Sequence, residues 1–408
     1  MEQTYFRKGL GLKSEVADAL ESDYHSGVVD LMQEQGYQLS AAGLTFKLAH
    51  EFGFCYGVDR AVDYAYQTRT KFPDKSIHLV GEIIHNPHVN TKLERMEIDI
   101  LRPAPSDGAF DFSHITAEDV VIIPAFGVTV SDMLTLKNSG CVLIDTTCGS
   151  VLNVWKRVEK YAKDGFTALI HGKHFHEESK ATASQVSRYE EGRYIIVRDM
   201  AETEIVCDFI ENGGDAAAIE ERFAVATSRE FNAAEDLARI GVANQTTMLA
   251  NESLAIADRV RKSMVARYSA DTLPDHFRSF DTICSATQER QDAILELIKD
   301  PLDVMIVIGG YNSSNTSNLA RICAESIPTY HIADASCIDP ESGVIRHKPV
   351  NSTEETAVPA WLGDDVSLVG ITAGASTPNN KIGEAVERIV QTRGGGLGDS
   401  ADRRAESE

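Results

Sequence analysis

The feature that most restricts the fold of this 408-residue chain is a pattern that occurs three times. A run rich in apolar and β-branched residues ends at a cysteine, and the cysteine opens a stretch with helical periodicity. The runs are TFKLAHEFGF before Cys55, CVLIDTT before Cys148 and FRSFDTI before Cys284. The helical stretches are YGVDRAVDYAYQTR, GSVLNVWKRVEKYAKDG and SATQERQDAILELIKD. A second strand-like run follows each one (SIHLVGEII, FTALI, DVMIVIGG) and ends in a polar loop around His85, His176 or Ser313. These three residues lie 30, 28 and 29 positions after their cysteines. A third run and polar loop complete each repeat: VVIIPAFGVTVS, ARIGVANQTT and VSLVGITAGASTP. Such a series predicts three βαβαβ-type units, with functional groups at the carboxyl ends of parallel strands, where open α/β sheets bind ligands.

The repeats divide the chain into units at 49–148, 149–283 and 284–392, the middle one lengthened by an insertion from about 185 to 235. Ahead of them lies an N-terminal extension, 1–48, in which SEVADALESDYHSGVVDLMQEQG reads as one peripheral amphipathic helix ended by Gly36. Behind them, 393–408 combines a glycine run with mixed charge and reads as a disordered tail.

Charge and cysteine usage narrow the function classes. A formal net charge of -23 disfavours nonspecific binding to nucleic acid or anionic membranes, both of which need clustered Lys and Arg. No apolar run approaches a membrane span, and neither a signal peptide nor a transit peptide is evident, so a cytoplasmic protein is expected. The seven cysteines are odd in number and include no C-x-x-C, which disfavours a disulfide framework, a zinc ribbon and a thioredoxin motif.

Cys55, Cys148 and Cys284 share one place in the repeat, at a strand-to-helix junction where the positive end of a helix favours thiolate. Three such thiolates make a soft ligand set suited to an iron-sulfur cluster or to zinc; a four-iron cluster would be one ligand short and so open to substrate. Cys141, Cys207, Cys323 and Cys337 fall within apolar patterns and read as core. The stretch HGKHFHEE, with His171, His174, His176, Glu177 and Glu178, could be a metal site or a solvated loop. Its repeat equivalents, His85 and Ser313, share only hydrogen-bonding capacity with it, which points to oriented anion binding, with His176 as donor and one glutamate carrying a proton. Asn312, Ser313, Ser314 and Asn315 offer a phosphate-type nest at a helix start, and Ser376 or Thr377 before Pro378 offers a second one.

GFCYGVDRAV, EIIHNPHVN, DTTCGSVLNVW, HGKHFHEES, ANQTTML, DTICSATQERQ, GGYNSSNTSNLA and GITAGASTP occur in this order, and together they resemble the 4-hydroxy-3-methylbut-2-enyl diphosphate reductases over residues 48 to 390. The resemblance implies three similar α/β units in a pseudo-threefold arrangement around a central [4Fe-4S] cluster, held by Cys55, Cys148 and Cys284 with one iron open. It implies Glu178 as catalytic proton donor assisted by Thr246, and a diphosphate site of His85, His176, Ser313, Asn315 and Ser376, with Ser314 beside them. The implied reaction is reductive dehydroxylation of the allylic diphosphate to isopentenyl and dimethylallyl diphosphate, the last step of the methylerythritol phosphate route.

Many bacterial members carry a histidine where this chain has Phe126, so one imidazole near the substrate is missing. The PAFG form, the HGK-x-x-HEE loop and the long insertion are similar to the plant and cyanobacterial branch. Flavin and nicotinamide motifs are absent from the sequence, so an external donor such as ferredoxin or flavodoxin is implied. Two other classes compete: a zinc-dependent hydrolase using His171, His174, His176 and Glu178, and a non-enzymatic iron-sulfur redox sensor.

Overall fold

The computed structural model describes residues 4–105 and 108–397, which form two compact units. One is built from the chain up to Gly9 with Phe72–Ile83 and Leu93–Cys284; the other from Leu10–Lys71, Ile84–Lys92 and the chain from Ser285 onward.

The first unit holds two parallel sheets. One runs Tyr5–Phe6, Val142–Asp145, Val120–Ile123, Ile77–Val80, Ile98–Leu101. The other runs Phe277–Ser279, Ile240–Asn244, Thr167–His171, Tyr194–Val197. The runs VVII, VLID, TALIH and IGVAN are buried along their whole length, as strands covered on both faces must be. In the second unit a third sheet runs Thr329–Ile332, Val304–Ile308, Leu368–Ala373, Leu44–Leu48, Gln38–Ala41. It is parallel except for the last pair, a hairpin turned at Ala42 and Gly43, both with positive φ. A small antiparallel sheet, Ile338–Asp339, Val344–His347 and Thr356–Pro359, completes this unit. The expected α/β class with parallel sheets is therefore what the chain forms.

Each of the three repeat cysteines stands where the chain leaves one sheet for the next. Leu44–Leu48 of the third sheet leads through Cys55 and helix Tyr56–Lys71 to Ile77–Val80 of the first. Val142–Asp145 of the first leads through Cys148 and helix Gly149–Lys163 to Thr167–His171 of the second. Phe277–Ser279 of the second leads through Cys284 and helix Ser285–Leu297 to Val304–Ile308 of the third.

The extension expected over 1–48 is instead, from residue 4 onward, woven into the fold. Tyr5–Phe6 adds an edge to the first sheet, and Gln38–Ala41 and Leu44–Leu48 belong to the third. The single expected helix is two, Lys13–Tyr24 and Gly27–Glu34. His25 is extended between them, and Ser26 caps the second by accepting the Val29 N–H. Nor is that second helix peripheral: Val29 and Met32 are fully buried in one core with Leu39, Phe46, Val386 and Ile389. Asp23 ties the first helix down. Its carboxylate accepts from Lys92 Nζ at 2.6 Å and from the Tyr66 hydroxyl at 2.7 Å, while its carbonyl accepts from Asn380 Nδ2 at 2.8 Å.

The insertion after 185 contributes the edge strand Tyr194–Val197 and helix Met200–Asn212, whose Val206, Cys207, Phe209 and Ile210 fill the core of the second sheet with Ile256 and Val260. Of the tail expected from 393, the part from 398 lies outside the described residues.

Candidate active site

The three repeat cysteines share one backbone contact. Cys148 N–H donates to Ala125 O at 2.9 Å, Cys284 N–H to Thr246 O at 3.3 Å and Cys55 N–H to Ala375 O at 3.1 Å. In every case the acceptor lies in the loop after the strand that pairs with the one leading to the cysteine. So the polar loops PAFG, NQTT and GAST are each pinned beside a cysteine, at the carboxyl ends of parallel strands. None of the three forms a disulfide and all are partly exposed, whereas Cys141, Cys207, Cys323 and Cys337 are buried. Burial pushes the Cys141 and Cys207 thiols up, and that of Cys323 up to about 12, which suits core residues rather than thiolate ligands. Cys148 occupies the N-cap of its helix, yet its sulfur makes no cap hydrogen bond and stays available to a ligand.

In the first unit, Glu178 and Thr246 meet. Glu178 Oε1 accepts the Thr246 backbone N–H at 2.6 Å, and the glutamate is only 1% exposed. A buried carboxylate fixed in this way is oriented, as a proton carrier must be. Two residues earlier, His176 is the N-cap of helix Glu177–Val186, and its Nδ1 accepts the Glu178 N–H at 3.1 Å. That bond places the proton of the neutral imidazole on Nε2, so His176 presents a donor. Against its ring stands the Phe126 ring, edge on, with centroids 5.7 Å apart. The residue that replaces the expected histidine therefore packs on the imidazole nearest Glu178.

The other members of HGKHFHEE separate from these two. His171 ends a fully buried strand and pairs its Nδ1 with Ser253 Oγ at 2.8 Å, whereas His174 is exposed beside Phe175. Among the described residues neither falls in a cluster of ligand atoms close enough to share an ion. Gln245, which the sequence did not single out, braces the loop by accepting from Lys173 N–H and Ser179 Oγ.

In the second unit the anion-type residues gather on adjoining loops. Ser376 Oγ donates to the His85 carbonyl at 3.3 Å, and a Cβ on Gly310 would lie 2.5 Å from that same carbonyl, so only glycine allows this approach. Ser313 caps helix Ser314–Ala324 by accepting from Thr316 N–H, as its place in the repeat leads one to expect. Asn315 Oδ1 accepts the Ala375 N–H at 2.9 Å, while its Nδ2 is buried without a hydrogen-bond partner. A buried, unspent amide donor between two helix starts fits an anionic ligand. His85, Ser313, Ser314, Asn315 and Ser376 are all buried polar residues.

Two positioning residues were missed. Arg290, 3% exposed, donates to the carbonyls of Phe52 and Gly53, just ahead of Cys55. It lies on the buried face of its helix with Thr287, Gln291, Ile294 and Leu297, so helical spacing alone would have found it. His331 Nε2 donates to the Gly309 carbonyl at 3.0 Å, at the start of the loop that leads to Ser313.

The LytB protein family matches residues 46–390. This chain belongs to the LytB family. Its curated relatives are named 4-hydroxy-3-methylbut-2-enyl diphosphate reductase. The one from Thermosynechococcus vestitus is 46% identical over 96% of this chain and 95% of its own length. The one from Gloeobacter violaceus is 44% identical over 97% of this chain and 94% of its own. A solved structure of (E)-4-hydroxy-3-methyl-but-2-enyl diphosphate reductase, the terminal enzyme of the non-mevalonate pathway, is similar with a TM-score of 0.51 and 26% identity, covering 84% of this LytB chain and 98% of that one. The Plasmodium falciparum reductase structure, 20% identical with a TM-score of 0.61 over 84% of this chain and 86% of that one, shares the fold.

Proposed function

We propose that this LytB chain reduces 4-hydroxy-3-methylbut-2-enyl diphosphate, taking up two electrons and two protons to release water and give isopentenyl or dimethylallyl diphosphate. The observation that carries the reading is near-full-length similarity, 46% over 96% of the chain, to reductases of that name. The buried Glu178 carboxylate, held on the Thr246 backbone, supports it from within the chain.

The donor set fits an iron-sulfur centre: three partly exposed cysteines at helix starts, each with the same backbone contact, beside four buried ones. Cys55, Cys148 and Cys284 would hold a [4Fe-4S] cluster through three of its irons. When bound, it supplies electrons and a Lewis-acidic iron. The protein does the rest. His85, Ser313, Asn315 and Ser376, with Ser314 beside them, bind diphosphate oxygens through hydroxyl, amide and helix-start donors, and His176 adds Nε2–H. Glu178 delivers a proton to the departing hydroxyl, with Thr246 fixing the carboxylate, and Phe126 limits the rotation of His176. The units 49–148, 149–283 and 284–392 belong to the same proposal, since the boundaries between them fall at Cys148 and Cys284. A ferredoxin- or flavodoxin-type protein brings the electrons. A cytoplasmic site of action belongs to the same proposal; among the described residues no helix is long and apolar enough to cross a membrane.

Anaerobic turnover of the hydroxymethylbutenyl diphosphate by reduced protein tests this. Wild type should yield both isomers, and Glu178→Gln should keep the brown colour and the fold while losing about 10²–10⁴-fold in rate. An active Glu178→Gln would remove the proton-delivery role. Zinc in place of iron and sulfide in anaerobically purified protein would favour a hydrolase.

A further inference from the structure

A second cluster of ligand-type side chains lies at the first sheet, away from the repeat loops. His78 and Asp99 are direct partners in the register of strands Ile77–Val80 and Ile98–Leu101, so their side chains project from the same face. His78 Nδ1 and Asp99 Oδ2 are 3.1 Å apart. From the connection that follows the second of these strands comes His114, whose ring stands edge on to that of His78 with centroids 5.4 Å apart. One ligand atom from each of the three residues lies within 4.8 Å of the others.

The surroundings divide sharply. On the same strand face lie Val80 and Val121, and Phe112 and Ile115 flank His114 in sequence; all four belong to one buried cluster. His78 is mostly covered, its side chain 13% exposed, while Asp99 at 65% opens to solvent. Two imidazoles and one carboxylate, with buried apolar residues on one side and exposed groups on the other, are the donor set of a borderline divalent cation whose shell solvent can complete. Neither hard cations nor thiolate-seeking metals match it. We propose that His78, Asp99 and His114 bind one zinc-class divalent ion, which fastens the connection carrying His114 to the sheet. His78 is the second residue of its strand, so the site lies at the opposite strand end from the candidate active site and has no part in the reaction. It stands independently of the proposed reductase activity.

The test uses the cluster-loaded protein under anaerobic conditions, dialysed against zinc, with bound metal counted and the zinc absorption edge recorded. One zinc per chain is expected, with a shell of nitrogen and oxygen at about 2.0–2.2 Å and no sulfur near 2.3 Å. His114→Ala and Asp99→Asn, both at exposed positions that leave the core untouched, should each weaken binding about tenfold or more while iron content stays constant. A sulfur-containing shell would mean that zinc has entered the cysteine site and overturns the proposal. Equal binding by wild type and both variants, or no retained zinc at all, overturns it as well.

Discussion

At the level of single residues, the local hydrogen-bond pattern decides what a side chain can do. HGKHFHEE contains three histidines with three different fates: His171 is core, His174 is surface, and His176 is a cap whose Nδ1 is occupied. Replacing His176 with Asn would keep a capping acceptor and lose the outward Nε2–H. His176→Asn should therefore raise KM for the diphosphate substrate with little change in thermal stability; a large drop in melting temperature with unchanged KM would make the residue structural. His331 adds a pH dependence. Burial pushes its pKa down to about 4, and burial pushes His88 and His347 down as well. A histidine depressed in the folded state binds its proton more readily when unfolded, near pH 6.5. Its stabilising effect is thus complete above about pH 6.5 and is lost as pH falls toward 4, by up to about 3 kcal/mol for a fully buried group. Denaturation midpoints between pH 7 and 4 should fall less steeply for His331→Gln than for wild type. Parallel slopes would mean that other groups carry the acid limb.

Among elements, what could be read in the sequence was whatever repeats. The three strand-cysteine-helix junctions were legible because the same polarity pattern recurs, and parallel strands announce themselves as short, mostly apolar runs that end up buried along their length. Thr246 as the partner of Glu178 was found only through family resemblance, since a carboxylate accepting a backbone N–H 68 residues away leaves no periodic trace. The N-terminal strands escaped because YF and QLSA are too short for a period to show, and tertiary pairing rather than propensity makes them strands. Assignment of Leu44–Leu48 to the third sheet was equally hidden, for pairing with Leu368–Ala373 depends on residues more than 300 positions away. Arg290 is the element-scale counterpart of Asn315. From helix Ser285–Leu297 it holds the carbonyls of Phe52 and Gly53, so that helix sets the approach to Cys55. Arg290→Leu leaves two carbonyls without their charged donor, and about 2–4 kcal/mol of stability should go with them. Iron content after anaerobic reconstitution should drop too; full iron loading would show that the loop holds without it.

For the whole molecule, the N-terminal residues supply the least obvious connection. Three segments of the second unit carry proposed ligand groups: the start of helix Tyr56–Lys71 at Cys55, the start of helix Pro87–Arg95 at His85, and the start of helix Asn379–Thr392 at Ser376. Asp23 bonds to a residue on each of these helices, through Tyr66, Lys92 and Asn380. Next to it the Tyr24 ring packs on Phe54, Tyr66 and His88. One short helix thus fixes the spacing of three elements that the sequence separates widely, and its loss should be felt at the loops they carry. Asp23→Ala removes the carboxylate that Lys92 and Tyr66 share but leaves the carbonyl bond to Asn380, so a loss of about 1.5–3 kcal/mol in unfolding free energy is expected. A double-mutant cycle with Lys92→Met separates the ion pair from the rest, because a coupling near zero would assign the loss to Tyr66. If the helix works as a clasp, Asp23→Ala should also raise KM for the diphosphate and spare turnover at saturation, since the proposed proton delivery by Glu178 rests on contacts that Asp23 does not make. A stability loss of that size with KM unchanged would show that the three loops keep their places without it.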